Sequence, residues 1–245
     1  MSFTKHIPNL FTSMNLFTGS VAIVFAFNGQ LHIAGILVLI AAIFDFLDGF
    51  AARLFKAYSA VGKELDSLAD LVSFGLVPGV LMYSYMEQSV PAWSPELLEI
   101  NVLPFLAFII TVFSAMRLAI FNVDETQAEN FKGLPTPANA IFFISFPIVM
   151  YYGNPDSYTY IIVQNLLNNF SFLVLITLLF SFLLVSPFAM FSLKFKSLAF
   201  APNQLRYTFI IIVLLLLIVL RIEAVPLIII IYLLLSFVGE KLNRI

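Results

Sequence analysis

The chain has no cysteine and few charged residues, and each shortage excludes a class of function. Its 245 residues include no Cys, two His and one Trp, and only 11% are Asp, Glu, Lys or Arg. Disulfide bonds and thiolate metal sites are therefore excluded. The net charge of -2 provides no basic surface for nucleic acid. Because soluble domains carry about 25% charged residues, the composition also argues against a soluble domain.

Apolar residues make up 61% of the chain, and the mean hydropathy is +1.02. Apolar runs separated by polar, Pro or Gly positions predict an all-α, polytopic transmembrane helical bundle of about eight spans of about 20 residues, with residues 1–245 in one domain. We expect the first span to be retained, because no cleavage site follows it, and a hairpin turn at Pro226. The predicted spans are 10–28, 32–55, 62–86, 102–121, 137–152, 169–190, 207–221 and 224–240.

The distribution of basic residues predicts the orientation of the bundle. The predicted outer stretch 87–101 carries three Glu and no base, and Arg221 is the one base of the predicted outer loops. Positive charge favours the cytoplasmic side of a membrane. We therefore expect a multi-pass protein of the cytoplasmic membrane with both termini in the cytoplasm. The bases assigned to that side are Lys5, Lys56, Lys63, Lys132, Lys194, Lys196, Arg206, Lys241 and Arg244.

Four aspartates interrupt the second and third predicted spans. Asp45 and Asp48 are three residues apart and Asp66 and Asp70 four apart, so each pair shares one helix face. The short connection at 56–61 makes the two helices antiparallel neighbours. Four like charges in a poorly solvated place need either protons or cations. Oxygen ligands without His or Cys favour Mg²⁺ or Mn²⁺, and a crowded cluster has room for two ions.

Small and basic residues accompany these carboxylates. Gly49, Ala52 and Gly62 leave space for a bulky ligand or for the neighbouring helix. Arg53 can pair with a phosphate through two hydrogen bonds. Taken alone, an aspartate in a span or a small-residue face is more often a packing feature. Together, carboxylates, glycine and arginine at a membrane boundary indicate a metal-bound diphosphate whose other end is lipid.

The stretch 45–70 resembles the signature of the CDP-alcohol phosphatidyltransferase family, Asp-x2-Asp-Gly-x2-Ala-Arg-x8-Gly-x3-Asp-x3-Asp, at every position. The resemblance implies a membrane enzyme, a homodimer, that moves a phosphatidyl or related group from a CDP-linked donor to an alcohol. It implies a dinuclear metal site with Asp70 as general base. The implied metal ligands are Asp45, Asp48, Asp66 and Asp70, and the implied CDP pocket contains Gly49, Ala52, Arg53 and Gly62.

Flanking segments resemble the integral-membrane phosphatidylserine synthases of this family, at residues 7–19, 64–78, 114–123 and 131–137. One difference is Ile120, where that subfamily usually has a second basic residue three positions after Arg117. The likeness implies that CDP-diacylglycerol, held in membrane lipid, and L-serine are the substrates, and that phosphatidylserine and CMP are the products.

Serine carries a carboxylate, so its pocket should offer a cation, and Arg117 and Lys132 are the candidates. Alternatively, Arg117 is an anchor at a helix end and Lys132 an ordinary positive charge of an inner loop. Asn9, Thr12 and Asn15 lie at helical spacing on the first span. Asn9 and Thr12 are candidates to bind the cytidine or phosphate of CDP, although helix capping or interhelical bonding explains them nearly as well.

Two rival functions stay open at this point. Glycerol 3-phosphate or an inositol phosphate as acceptor would use the same chemistry, but would require more basic residues than Arg117 and Lys132. An ion-coupled transporter also places aspartates in a membrane. In this sequence, however, the carboxylates crowd one end of two adjacent spans and no matching pair occurs in the second half.

Overall fold

The computed structural model describes residues 6–124, 131–192, 199–200 and 203–242. Lys5, Lys194, Lys196 and Arg244, which contributed to the predicted orientation, lie outside these ranges. The described chain is almost entirely helical, which confirms the all-α prediction. Its helices are α1 (Ile7–Phe27), α2 (Leu31–Phe55), α3 (Ala60–Asp70), α4 (Val77–Gln88), α5 (Ile109–Val123), α6 (Thr136–Tyr152), α7 (Tyr158–Leu167), α8 (Phe170–Val185), α9 (Gln204–Leu220) and α10 (Val225–Lys241).

Shorter elements join these helices. A π-helical turn, Leu71–Leu76, connects α3 to α4, and 3₁₀ turns precede α5 and α10 at Leu103–Phe108 and Arg221–Ala224. Two antiparallel pairs of two-residue strands form small two-stranded sheets, which the sequence did not predict. The strands are β1 (Glu96–Leu97) with β2 (Ile100–Asn101), and β3 (Phe131–Lys132) with β4 (Ala189–Met190).

Five helical stretches are long and apolar enough to cross a membrane, and a sixth is reached if α7 and α8 count as one bent span. The chain is therefore a multi-pass membrane protein. Helix α6 has 17 residues and is shorter than these stretches. The predicted total of about eight spans stays a prediction, since it depends on counting α6, α9 and α10 separately.

The predicted hairpin near Pro226 agrees with the contacts of α9 and α10. At the start of α9, Arg206 Nε donates to Ser192 O over 2.7 Å. At the end of α10, Glu240 Oε1 accepts from Ala189 N over 3.3 Å. Because both ends meet the same short segment, the two helices run antiparallel. Arg221, between them, has φ of 53° and ψ of -127°, a positive-φ backbone conformation at the point where the chain reverses.

The structure differs from the predicted span 169–190 at both ends. Helix α7 precedes it and bends by 92° relative to α8. Asn169 caps α8, its side chain accepting from Phe172 N over 3.1 Å, so the polar pair Asn168–Asn169 starts a new helix. Helix α8 ends at Val185 because Pro187 disfavours helical conformation at the residue before it.

Helices α1, α2 and α3 position the acidic residues. Small side chains on α1 and α2 are fully buried, among them Ala22, Ala34 and Ala41, and they allow the two helices to pack closely. Ser59 caps α3, its hydroxyl accepting from Gly62 N over 3.0 Å. The reversal between α2 and α3 therefore places both aspartate pairs at one end of the bundle, as the spacing predicted.

Candidate metal and nucleotide site

The four aspartates predicted to act together do meet in space. Asp45 and Asp48 of α2 and Asp66 of α3 each contribute an oxygen, and these oxygens lie within 4.8 Å of one another. Asp70, which is buried at the end of α3, lies within hydrogen-bonding reach of Asp45. The two helix faces inferred from the sequence therefore converge on one carboxylate cluster.

Helix α1 supplies the polar contacts that hold this cluster. Thr12 Oγ1 donates to Asp48 Oδ2 over 2.7 Å, and Asn15 Nδ2 donates to Asp70 Oδ1 over 3.1 Å. Thr12 and Asn15 are three residues apart, so one face of α1 reaches both partners. Interhelical bonding, one of the two alternatives to CDP binding that the sequence left open on this face of α1, is thus observed for both residues.

A cavity of about 300 Å³ opens beside the cluster. It is lined by all six residues predicted to bind CDP, together with Asp48 and Asp66. The six are Asn9, Thr12, Gly49, Ala52, Arg53 and Gly62. Lys63 and the loop residues Ala57, Tyr58 and Ser59 also line it, and sequence reasoning gave none of them a role. In the sequence, the position of Lys63 directly after Gly62 is the feature that could have indicated its place at the cavity.

The two glycines of the cavity are small for different reasons. A Cβ atom at Gly62 would lie 2.9 Å from both Asn9 Oδ1 and Ser59 Oγ, so Gly62 allows α1 to approach α3. At Gly49 the nearest atom to such a Cβ is Arg53 Nη1 at 3.9 Å. A side chain there would project into open cavity space. Gly62 therefore serves helix packing, and Gly49 keeps room for a ligand.

Arg117 and Lys132 lie together in a second, smaller cavity of about 160 Å³, which also contains Ile120 and Asp124. Arg117 is 8% exposed, and its Nε donates to Leu134 O over 3.1 Å. Its helix packs beside the segment that carries Asp70, since Asn122 Nδ2 donates to Ser67 Oγ over 2.9 Å and Thr111 Oγ1 donates to Gly75 O over 3.2 Å. A group held inside the protein does not behave as a snorkelling anchor. The structure thus brings Arg117 close to the acidic cluster, whereas Lys132, on strand β3, is exposed.

Comparison with known proteins agrees with this geometry. Residues 5–183 match the sequence model of the CDP-alcohol phosphatidyltransferase family. The chain belongs to this family. The family resemblance drawn from the 45–70 signature is therefore confirmed, and the matched region contains every candidate site residue predicted from the sequence.

Three relatives are serine enzymes by name. The archaetidylserine synthase of Methanothermobacter thermautotrophicus is 34% identical over 148 residues, which cover 60% of this chain and 59% of the relative. A CDP-diacylglycerol–serine O-phosphatidyltransferase of Helicobacter pylori strain J99 is 37% identical over 139 residues, covering 56% of this chain and 55% of the relative. The Bacillus subtilis enzyme of that name is 34% identical over 133 residues, covering 54% and 70%. The chain thus spans little more than half of the first two relatives.

The residues of this family member suit a divalent cation. Asp66 Oδ1 is buried and has no hydrogen-bond partner, although a buried carboxylate oxygen normally has one. Two unit charges 4.8 Å apart repel by about 3 kcal/mol at an effective dielectric constant of about 20. The donors are all carboxylate oxygens, the ligand type that Mg²⁺ and Mn²⁺ prefer. A bound cation would be the missing partner of this oxygen and would remove the repulsion between the carboxylates.

We expect the Thr12→Val variant to weaken Mn²⁺ binding by about 10-fold, because ligand-orienting hydrogen bonds contribute about 10- to 100-fold in metal affinity. Valine keeps the volume of threonine but cannot donate to Asp48. Mn²⁺ binding is measured directly by electron paramagnetic resonance of the purified protein. Thr18→Val is the control, because the Thr18 hydroxyl donates to Met14 O of its own helix. Equal affinity in the two variants would contradict the role given to Thr12.

Proposed function

We propose that this family member transfers the phosphatidyl group of CDP-diacylglycerol to the hydroxyl of L-serine, giving phosphatidylserine and CMP. The observation that carries the proposal is the cavity in which the carboxylate cluster meets Arg53, Gly49 and Ala52 at one end of apolar helices. A diphosphate with a lipid tail fits such a place, since its acyl chains stay in the bilayer. The names of the relatives add serine as the acceptor.

The donor would bind with its diphosphate between the cluster and the end of α2. Asp45, Asp48, Asp66 and Asp70 would hold two divalent ions, Mg²⁺ or Mn²⁺, which neutralise the diphosphate and stabilise the leaving CMP. Arg53, exposed on the last turn of α2, pairs with phosphate oxygens. The polar side chains that line the cavity floor on α1, Asn9 and Thr12, bind the cytidine or phosphate.

In this proposal Asp70 is the general base. A serine hydroxyl is a weak nucleophile, and a positioned base contributes about 10²- to 10⁴-fold. Asp70 takes the hydroxyl proton as the serine oxygen bonds to the lipid-side phosphorus and the bond from that phosphorus to CMP breaks. Arg117 pairs with the serine carboxylate, because it is a buried cation that lines the second cavity. Lys132 shares the cavity of Arg117 and assists it.

The proposal includes the setting of the enzyme. It places the site on the cytoplasmic side of the cytoplasmic membrane, in a single domain over 1–245 that acts as a homodimer. The described bases support this side: Lys63 Nζ donates to Asn122 O over 2.8 Å, beside the acidic cluster, and Arg206 and Lys241 lie at the same end. A reporter fused after Ile245 should be active in the cytoplasm, and one active outside would overturn the orientation. Chemical cross-linking in membranes tests the homodimer.

One assay separates the proposed reaction from its alternatives. Purified protein is mixed with CDP-diacylglycerol, Mn²⁺ or Mg²⁺ and labelled serine, and both CMP release and labelled lipid are measured. We expect serine to be used in preference to glycerol 3-phosphate or an inositol phosphate. Preference for either of these alcohols would contradict serine as the acceptor. Ion flux in proteoliposomes without CMP release would indicate a transporter instead.

Substitution of Arg117 tests its assignment to the acceptor. Lysine keeps the positive charge but loses the planar pair of donors, so Arg117→Lys should raise KM for serine by about 10-fold. KM for CDP-diacylglycerol should stay within about twofold, because Arg117 lies outside the larger cavity. Arg206→Lys is the control, since Arg206 contacts Ser192 and Asn203 rather than the site. An effect on the donor KM alone would contradict the assignment.

A further inference from the structure

We infer that Asn15 is a positioning residue for Asp70, and that the π-helical turn after Asp70 holds the two residues in register. The inference rests on the proposed function, because it assigns Asn15 a role in presenting the general base to the acceptor hydroxyl. It concerns α1, which lies outside the 45–70 signature.

The side-chain amide of Asn15 is buried but only partly hydrogen-bonded. Asn15 is fully buried, with 0% exposure, and its Nδ2 donates to Asp70 Oδ1 over 3.1 Å. Its own Oδ1 is buried without a hydrogen-bond partner. A buried polar atom without a partner destabilises a fold, and a leucine of similar size would not carry that cost. Stability therefore does not explain this asparagine, whereas its bond to Asp70 does.

The π-helical turn Leu71–Leu76 begins at the residue directly after Asp70. At its end Val77 N donates to Val72 O, one residue further back than in an α-helix. Pro78 follows, and it has no N–H with which to continue the regular α-helical pattern. Such turns are frequent at functional sites. The added residue sets the rotation of the chain that carries Asp70 relative to α4.

The turn is held on both sides. Towards α1, Ser73 Oγ donates to the backbone oxygen of Asn15 over 3.1 Å. A Cβ atom at Gly19 would overlap Ser73 Oγ and lie 3.0 Å from Ser73 Cα, so only glycine permits this approach. Towards α5, Thr111 Oγ1 donates to Gly75 O over 3.2 Å. The turn is therefore fixed between two helices.

Asn15 is therefore hydrogen-bonded both to Asp70 and to the turn that follows Asp70. The Asn15 side chain donates to Asp70, and its backbone oxygen accepts from Ser73, which lies three residues after Asp70 in the π-helical turn. With one carboxylate oxygen held by Asn15, the rotation of the Asp70 side chain is restricted, and the other oxygen would accept the proton in the proposed reaction. Small errors in the placement of a catalytic group cost large factors in rate. Asn15 thus acts on turnover through Asp70.

The Asn15→Leu variant tests this inference. We expect kcat for phosphatidyl transfer to serine to fall about 10- to 100-fold, the range found when a partner that orients a site ligand is removed. CDP affinity, measured by calorimetry with Mn²⁺ present, should stay within about twofold, because Asn15 does not line the nucleotide cavity. The midpoint of thermal unfolding should change little, because the variant removes one unpartnered buried oxygen, Asn15 Oδ1, and leaves Asp70 Oδ1 without its donor. Ser73→Ala should lower kcat in the same direction by a smaller factor.

Thr18→Val is the matched control. Thr18 is buried one turn further along α1, and its hydroxyl donates to Met14 O of the same helix. Normal turnover in Asn15→Leu beside normal wild type and control would overturn the inference and leave the proposed function standing. A drop in CDP affinity or unfolding midpoint that matches the drop in kcat would also overturn it, since the role would then be structural. A wild type that releases no CMP would overturn the proposed function, and the inference with it.

Discussion

Asp70→Asn should lower kcat by about 10²- to 10⁴-fold, the contribution typical of a positioned general base. Asparagine has nearly the size of aspartate, so the packing around Asp70 and the bond from Asn15 to Oδ1 are kept. An amide cannot take the proton of the attacking hydroxyl. The three carboxylates whose oxygens lie within 4.8 Å of one another are unchanged. CDP binding should therefore be partly retained while turnover is lost.

Two measurements separate these effects. Calorimetry with CDP and Mn²⁺ reports binding, and CMP release from CDP-diacylglycerol with serine reports turnover. Asp156→Asn is the matched control, because Asp156 is an exposed aspartate of the α6–α7 connection, at the other end of the chain's helices. Normal turnover in Asp70→Asn would refute the base role. A trapped phosphatidyl-enzyme in the wild type would instead identify a carboxylate as a covalent nucleophile.

The site residues that could be predicted from the sequence are the ones that differ chemically from their apolar surroundings. Charged residues are costly in membrane helices, so Asp45, Asp48, Asp66 and Asp70 stand out in an apolar sequence. Their spacing of three and four residues and the short connection between α2 and α3 fix which faces meet. Arg53, on the turn after Asp48, stands out for the same reason, and it lines the cavity. These inferences needed helical geometry and no knowledge of distant contacts.

Other features depended on contacts between distant segments. Thr12 and Asn15 have a spacing that suits capping or interhelical bonding equally well, and only the position of α1 against α2 and α3 distinguishes the two. The π-helical turn is stabilised by Ser73 and Thr111, whose partners lie on α1 and α5. Helix α7 was missed because the sequence around Asn168 reads as a loop in isolation.

The carboxylate cluster leads to a second large expected effect, on stability as well as turnover. Asp66→Asn removes one of three neighbouring carboxylates, and each ionised pair would repel by about 3 kcal/mol when no cation is bound. Without metal, the variant should therefore unfold at a higher temperature than the wild type. The buried, unpartnered Asp66 Oδ1 also indicates that this carboxylate is a ligand. The variant should thus lose Mn²⁺ binding and nearly all turnover.

Thermal unfolding at pH 8, with and without Mn²⁺, measures both changes. A ligand that binds the folded state raises the unfolding temperature, so Mn²⁺ should stabilise the wild type and have little effect on Asp66→Asn. Glu64→Gln is the control, because Glu64 is an exposed carboxylate of the same helix. A variant that is less stable than the wild type without metal, yet still stabilised by Mn²⁺, would show that Asp66 serves packing. Asp70→Asn leaves the three clustered carboxylates in place, so it should retain part of the Mn²⁺ effect while it loses turnover. The pair of variants therefore separates holding the metal from taking the proton.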